Sequence, residues 1–138
     1  MEREIESGKV RRDPPGAAVL TAGQIEQSLD WLQRDAPVET VALSGGEPLL
    51  RPDLPDIVSR IRKRGITVAI ISNGELLTEA LIEQLGSDVT FEITLLSCTP
   101  ETHDRLTGHP GAWTAAVDAM ANLRKARGRS SVCSSQPN

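Results

Sequence analysis

Cysteine is nearly absent from this chain of 138 residues: Cys98 and Cys133 are the only two. Their wide separation matches no short metal-ligand spacing. The opening Met1-Glu2-Arg3-Glu4-Ile5-Glu6 has no secretory pattern, so a structural disulfide is not expected and the expected compartment is the cytoplasm. Aromatic residues are almost as scarce. There are two tryptophans, Trp31 and Trp113, one phenylalanine, Phe91, and no tyrosine, too few for a platform that stacks single-stranded bases. Positive charge is not in excess. The net charge of −4 supplies no basic field for nucleic acid or an anionic membrane. No apolar run approaches the roughly 18–20 residues of a membrane span. Also missing are a Walker glycine–lysine loop, a His-Glu-x-x-His zinc motif, a dinucleotide Gly-x-Gly-x-x-Gly and a hydrolase Gly-x-Ser-x-Gly.

What is there is ordinary in bulk and ordered in pattern. Hydrophobic content of 38% and charged content of 25% suit a soluble protein, and the length suits one domain of about 100–200 residues. Residues 1–20 mix charges with Gly8, Pro14, Pro15 and Gly16. They show neither helical nor strand periodicity, which predicts loop or disorder. Thr21 and Gln24 fit a capping box, and Ile25, Leu29 and Leu32 follow on one helical stripe. The spacing predicts a helix over 22–34, with Trp31 widening its buried face and Pro37 barring continuation.

Val38 to Leu43 reads as a strand. Pro52, Asp53 and Pro55 open a helix with an apolar face of Leu54, Ile57, Val58 and Ile61. Its basic end, Arg60, Arg62, Lys63 and Arg64, is read as a solvated, dipole-matched terminus, with Gly65 closing it. Ile66 to Ile71 is almost continuously apolar, as in a parallel strand buried on both faces, and ends at the turn signal Ser72-Asn73-Gly74. Thr78 caps a third helix carrying Leu81, Ile82 and Leu85. Val89 to Leu96 is a third strand. A short helix is predicted over 101–106 and a longer one over 112–126. One helix followed by three strand–helix units predicts an α/β fold with a parallel sheet. Either a doubly wound sheet or part of a β/α barrel fits that order.

The chemistry gathers where the strands end. Val41-Ala42-Leu43 stops at Ser44-Gly45-Gly46-Glu47-Pro48. Glycine allows a sharp turn and close approach of a ligand, and proline ends the strand. Glu47 is thereby held at a strand C-terminus, where parallel α/β folds bind ligands. An ordinary strand-to-helix turn with a solvated glutamate would use the same residues. Ser72 to Glu75, and Thr94 with Ser97 to Thr99, bring further polar groups to the same rim.

Four segments in register resemble the radical SAM enzymes. They are Leu43 to Arg51 around Gly-Gly-Glu-Pro; Ile71-Ser72-Asn73-Gly74; Phe91-Glu92-Ile93-Thr94-Leu95; and Glu101 to Gly108 with Gly111-Ala112-Trp113. The resemblance runs from about Thr21 to about Gly128 and points to the members that mature peptides and cofactors. It implies a partial barrel of about six β/α units, of which this chain is about half. It implies S-adenosylmethionine as cofactor, with the Gly45–Gly46 backbone, Glu47 and Pro48 at the methionyl amino group. Ser72 and Asn73 would lie near the cofactor and Thr94 near its ribose. Ser72 and Asn73 also read as a self-satisfied turn, and Thr94 as a β-branched strand residue. The family's reaction is reductive cleavage of S-adenosylmethionine at a 4Fe–4S cluster to a 5′-deoxyadenosyl radical, which takes a hydrogen from substrate. A small-molecule cofactor and a peptide or cofactor-precursor substrate are the expected partners, with no nucleic acid or membrane.

One departure is large. The family holds its cluster with three closely spaced cysteines after the first strand, and no cysteine precedes Glu47. The expectation is therefore a fragment, inactive alone, that starts downstream of the cluster loop. Residues 1–20 would be loop, 21–128 a partial core domain and 129–138 a disordered tail. Val41, Leu43, Val68, Ile70, Ile93 or Leu95 would face inward without an opposite wall, making the chain poorly soluble. The alternative is a non-catalytic α/β nucleotide-binding or regulatory module. His103 and Asp104 form a tempting dyad, but the plainer reading has His103 packing or facing solvent and Asp104 favouring a helix start. His109 is read as loop.

Overall fold

In a computed structural model, the structure describes residues 19–127 and 131–133. The expectation of loop over residues 1–20 lies outside the described residues for 1–18; Val19 and Leu20 carry no regular structure. Thr21 caps α1 (Ala22–Leu32) as its sequence predicts. Its Oγ1 accepts the Gln24 N–H at 3.2 Å, and Gln24 Oε1 accepts the Thr21 N–H at 2.9 Å. The helix buries Leu29, but Trp31 is 62% exposed, so it does not widen the buried face. Then come β1 (Thr40–Leu43), a 3₁₀ turn over Pro48–Leu50, α2 (Leu54–Arg62), β2 (Thr67–Ser72), α3 (Glu79–Leu85), β3 (Val89–Thr94), α4 (Pro100–Thr107), α5 (Ala112–Arg127) and β4 (Ser131–Cys133).

The strands form one parallel sheet in the order β1-β2-β3-β4. Three strands were expected, and the fourth falls in the segment read as a tail. Ser131–Cys133 pairs with Glu92, Ile93 and Thr94. Three residues inside a serine-rich stretch carry no alternation, so only pairing to β3 makes them a strand. The rest of that segment, residues 129–130 and 134–138, lies outside the described residues. β3 stops at Thr94, two residues earlier than expected, because the Leu96 N–H turns to His103 Nδ1 at 3.1 Å.

Register divides the sheet into two unlike faces. Val41, Val68 and Val89 share one face with Leu43, Ile70 and Phe91, and with Ser72 and Ile93. Val68, Ile70 and Ile93 are fully buried there, in one core with Leu54, Ile57, Val58 and Ile61 of α2, Ile82 and Leu85 of α3, and Ala116, Ala119 and Leu123 of α5. Each valine, leucine or isoleucine among them contributes about 1.5–3 kcal/mol by leaving water. The other face carries Thr40, Ala42, Thr67 and Thr90, all exposed, and Ala69, Ile71, Glu92 and Thr94, half-buried. The expectation for Val41, Leu43, Val68, Ile70, Ile93 and Leu95 is thus corrected. They meet the helices, and the uncovered face is mostly threonine and alanine.

The basic end of α2 is more than a solvated terminus. Arg60 donates to Glu26 and to Asp56, each at 2.7 Å, Arg64 donates to Asp30, and Arg62 to Asp88. These pairs strap α2 to α1 and to the turn before β3. Most are open to water and individually weak.

Candidate functional site at the strand C-termini

Local conformation explains the first loop. Gly45 has φ +131° with open space where a Cβ would stand, so its backbone angle demands glycine. Gly46 is exposed and not at positive φ. Pro48 opens the buried 3₁₀ turn, where a missing N–H costs nothing. Three residues carry no periodic signal, so that turn has no signature in the sequence.

Glu47 caps it and does more. Its Oε1 accepts the Leu49 N–H at 3.1 Å and the Ser72 hydroxyl at 2.8 Å, and its Oε2 accepts the Asn73 N–H at 3.0 Å. One carboxylate thus ties the loop after β1 to the loop after β2. Charge-assisted bonds of this kind are the stronger class. Ser72 is 3% exposed and its Oγ also accepts the Gly74 N–H at 2.9 Å. Asn73 is exposed, and its Oδ1 accepts the Glu75 N–H at 2.9 Å. Gly74 is doubly required. It sits at φ +84°, and a Cβ would lie 2.8 Å from the Ala119 Cβ and 3.4 Å from the Ala116 Cα.

The structure therefore joins Glu47, Ser72 and Asn73 in one hydrogen-bonded unit, with Gly45, Gly46 and Pro48 in the same loop. Thr94 stands apart. It ends β3 on the uncovered face, opposite to the face that Ser72 occupies.

His103 and Asp104 are not a dyad. His103 is 2% exposed, and its Nδ1 accepts the Leu96 N–H. Asp104 accepts the Gly111 N–H at 2.6 Å and the Trp113 N–H at 2.9 Å. It caps the start of α5, not the first turn of its own helix. The Trp113 N–H, then that of Gly111, hold its carboxyl below the ordinary aspartate range. The Trp113 Nε1 is buried without a partner among the described residues. His109, read as loop, stands 3.4 Å from Glu75 and links the loop after β2 to the α4–α5 loop. Only the fold could reveal that pair, since the partners come from separate loops.

Among the described residues no group of three or more His, Cys, Asp or Glu is placed to hold a metal ion, and no helix is long and apolar enough to cross a membrane. Cys98 is exposed and unbonded. Two cysteines, one after β3 and one in β4, do not fit a three-cysteine iron–sulfur ligand set.

Comparison with known proteins supplies the frame. The family model described as the radical SAM superfamily matches residues 4–135. An AdoMet-dependent heme synthase of Methanosarcina barkeri is 37% identical over 86 residues, covering 61% of this chain and 25% of that protein. Mycofactocin maturase MftC of Mycobacterium tuberculosis H37Rv is 31% identical over 122 residues, 87% of this chain and 30% of that one. A PqqA peptide cyclase of Granulibacter bethesdensis is 34% identical over 86 residues, 60% and 23% respectively. The chain thus spans about a quarter to a third of these relatives. A solved structure of TYW1 with a lysine–pyruvate adduct bound superposes with a TM-score of 0.57 at 20% identity, covering 82% of this chain and 41% of that one. That likeness is one of fold: parallel βα units of a partial TIM-like barrel.

Proposed function

The chain belongs to the radical SAM superfamily, whose relatives here are enzymes and whose chemistry uses S-adenosylmethionine and a 4Fe–4S cluster; from that premise we propose that its strand-end rim is the S-adenosylmethionine-binding part of such an enzyme. The Gly45 and Gly46 backbone and Glu47 receive the methionyl ammonium, in a loop that Pro48 fixes. Ser72 and Asn73 set the second loop against it, and the Thr94 hydroxyl serves the ribose. The proposed core domain is residues 21–128, with β4 added. The substrate proposed for the whole enzyme is a peptide or cofactor precursor, by analogy with the heme synthase, PqqA peptide cyclase and mycofactocin maturase.

One observation carries this reading: a single carboxylate, Glu47, holds both rim loops through Leu49, Ser72 and Asn73. Oε1 is filled by two of these bonds, and Oε2, which accepts one, retains a lone pair for an ammonium group, while Gly45 keeps the adjoining backbone bare. The chain's own contribution is binding and orientation. Its two cysteines furnish no cluster ligand set, so no redox step is assigned to its residues.

Calorimetric titration with S-adenosylmethionine tests the reading. Binding is expected to be weaker than a Kd of about 1 μM, which is worth about 8 kcal/mol, and weaker still in Glu47→Ala. Equal affinity in the two proteins would remove Glu47 from the site. The small cysteine count favours a second reading, a non-catalytic binding module that keeps the rim. Reconstitution with iron and sulfide tests the module reading. A stoichiometric cluster absorbance surviving desalting would rule the module out.

A further inference from the structure

Glu92 is the only charged residue in the four strands. It lies on the uncovered face, in register with Ile71 on one side and Ser131 on the other. Two residues deeper along β3 than Thr94, it stands about 7 Å inside the rim. It is half-buried, yet its carboxylate accepts no hydrogen bond and makes no ion pair among the described residues. Drawing a carboxylate partly out of water with no partner costs stability. Groups that carry such a cost are common where a ligand repays it. Ile71 flanks it on β2, and the other strand positions on this face between it and the rim or the sheet edge are small, Ala42, Ala69, Thr90 and Thr94, so an extended group can reach the carboxylate along β3.

We propose that Glu92 is a specificity-determining residue that receives a cationic side chain or terminal ammonium of a peptide substrate lying on the open sheet face, beneath the cofactor rim. The inference rests on the cofactor reading of that rim. It adds a second subsite of opposite charge to its ligand, on a different strand from Glu47 and on the other side of the sheet from Ser72. No reacting atom is assigned to Glu92; it selects and positions.

The test uses the full chain, labelled with ¹⁵N and ¹³C, and three probes: acetyl-Gly-Lys-Gly-amide, acetyl-Gly-Gln-Gly-amide and S-adenosylmethionine. The lysine peptide is expected to shift the Thr90, Glu92 and Thr94 amides and the Glu92 carboxyl carbon saturably. Its apparent Kd should be about threefold lower than that of the glutamine peptide, the size expected of one solvent-accessible ion pair. Glu92→Gln should erase that preference while leaving the midpoint of urea unfolding unchanged or higher. Four results would overturn the proposal: no saturable shift by the lysine peptide, no preference between the two peptides, a preference that survives in Glu92→Gln, or a lowered unfolding midpoint, which would mean the carboxylate serves the fold. S-adenosylmethionine moving the Glu92 carboxyl resonance would assign the group to the cofactor and overturn it as well. Failure of the cofactor reading has its own signature: S-adenosylmethionine would leave the Gly45 and Gly46 amides unmoved, whatever the peptides do.

Discussion

Removing the bond between Glu47 and Ser72 should cost stability in a way that neither residue explains alone. Glu47→Ala strips the acceptor from three donors, the Leu49 N–H, the Ser72 hydroxyl and the Asn73 N–H. Hydrogen bonds to charged groups contribute about 1.5–3 kcal/mol each, but Asn73 is exposed and its amide can turn to water. A total near 3 kcal/mol is expected. Ser72→Ala removes one donor to Glu47 and the acceptor of the Gly74 N–H, in a site with 3% exposure; about 2 kcal/mol is expected. Independent sites would sum to about 5 kcal/mol in the double variant. Because the two share a bond, the double variant should lose only about 3.5–4, a coupling of about 1–1.5 kcal/mol. Urea unfolding of the four proteins by far-ultraviolet circular dichroism gives the cycle, provided the slope m is common to all. Additivity within about 0.5 kcal/mol would refute the latch.

Two further outcomes follow from the same rim. Gly74→Ala combines a left-handed backbone with a 2.8 Å clash on α5, whereas Gly45→Ala meets the backbone penalty in open space. Strain of about 1–3 kcal/mol applies to both and overpacking of about 1–3 to Gly74 alone. The first should therefore lie about 1–3 kcal/mol below the second in denaturant stability; equal losses would show that α5 yields freely. Asp104 sets an acid limb. Its folded carboxyl is held below the ordinary value by the Trp113 and Gly111 amides, so its contribution is full above the unfolded value of about 3.9 and is lost as pH falls through the lower folded value. Asp104→Asn should flatten that part of the stability-against-pH curve while leaving the curve above pH ~5 parallel to wild type; an unchanged acid limb would mean the cap is not ionised.

How far the sequence could be read depended on how local each signal was. The Thr21–Gln24 box, the stripe of α2 and the parallel order of β1 to β3 rest on neighbours within a turn or on strand–helix alternation, and each is found where it was expected. The motif at Gly45 to Pro48 placed a loop at a strand end, but its bonding to Ser72 spans 25 positions and depends on the β1–β2 register. β4 was missed because its strand character comes from β3, not from Ser131-Val132-Cys133.

The two faces of the sheet are the harder case. Alternation assigns Val68 and Ile70 to one face and Ala69 and Ile71 to the other, yet Ile66 to Ile71 reads as apolar throughout, and nothing local says which face the helices cover. Only the packing of Leu54, Ile57, Ile82 and Leu123 against Val68, Ile70 and Phe91 decides it. Once it is decided, the opposite face is seen to be small or polar apart from Ile71, with Glu92 the single charge among its strands. A carboxylate between Phe91 and Ile93 looks, in one dimension, like the solvent side of an amphipathic strand. In the fold it lies on the face that a barrel turns toward its ligand. Its half-buried place between Ile71 and Ser131 comes from the packing of the whole sheet and has no signature in the local pattern.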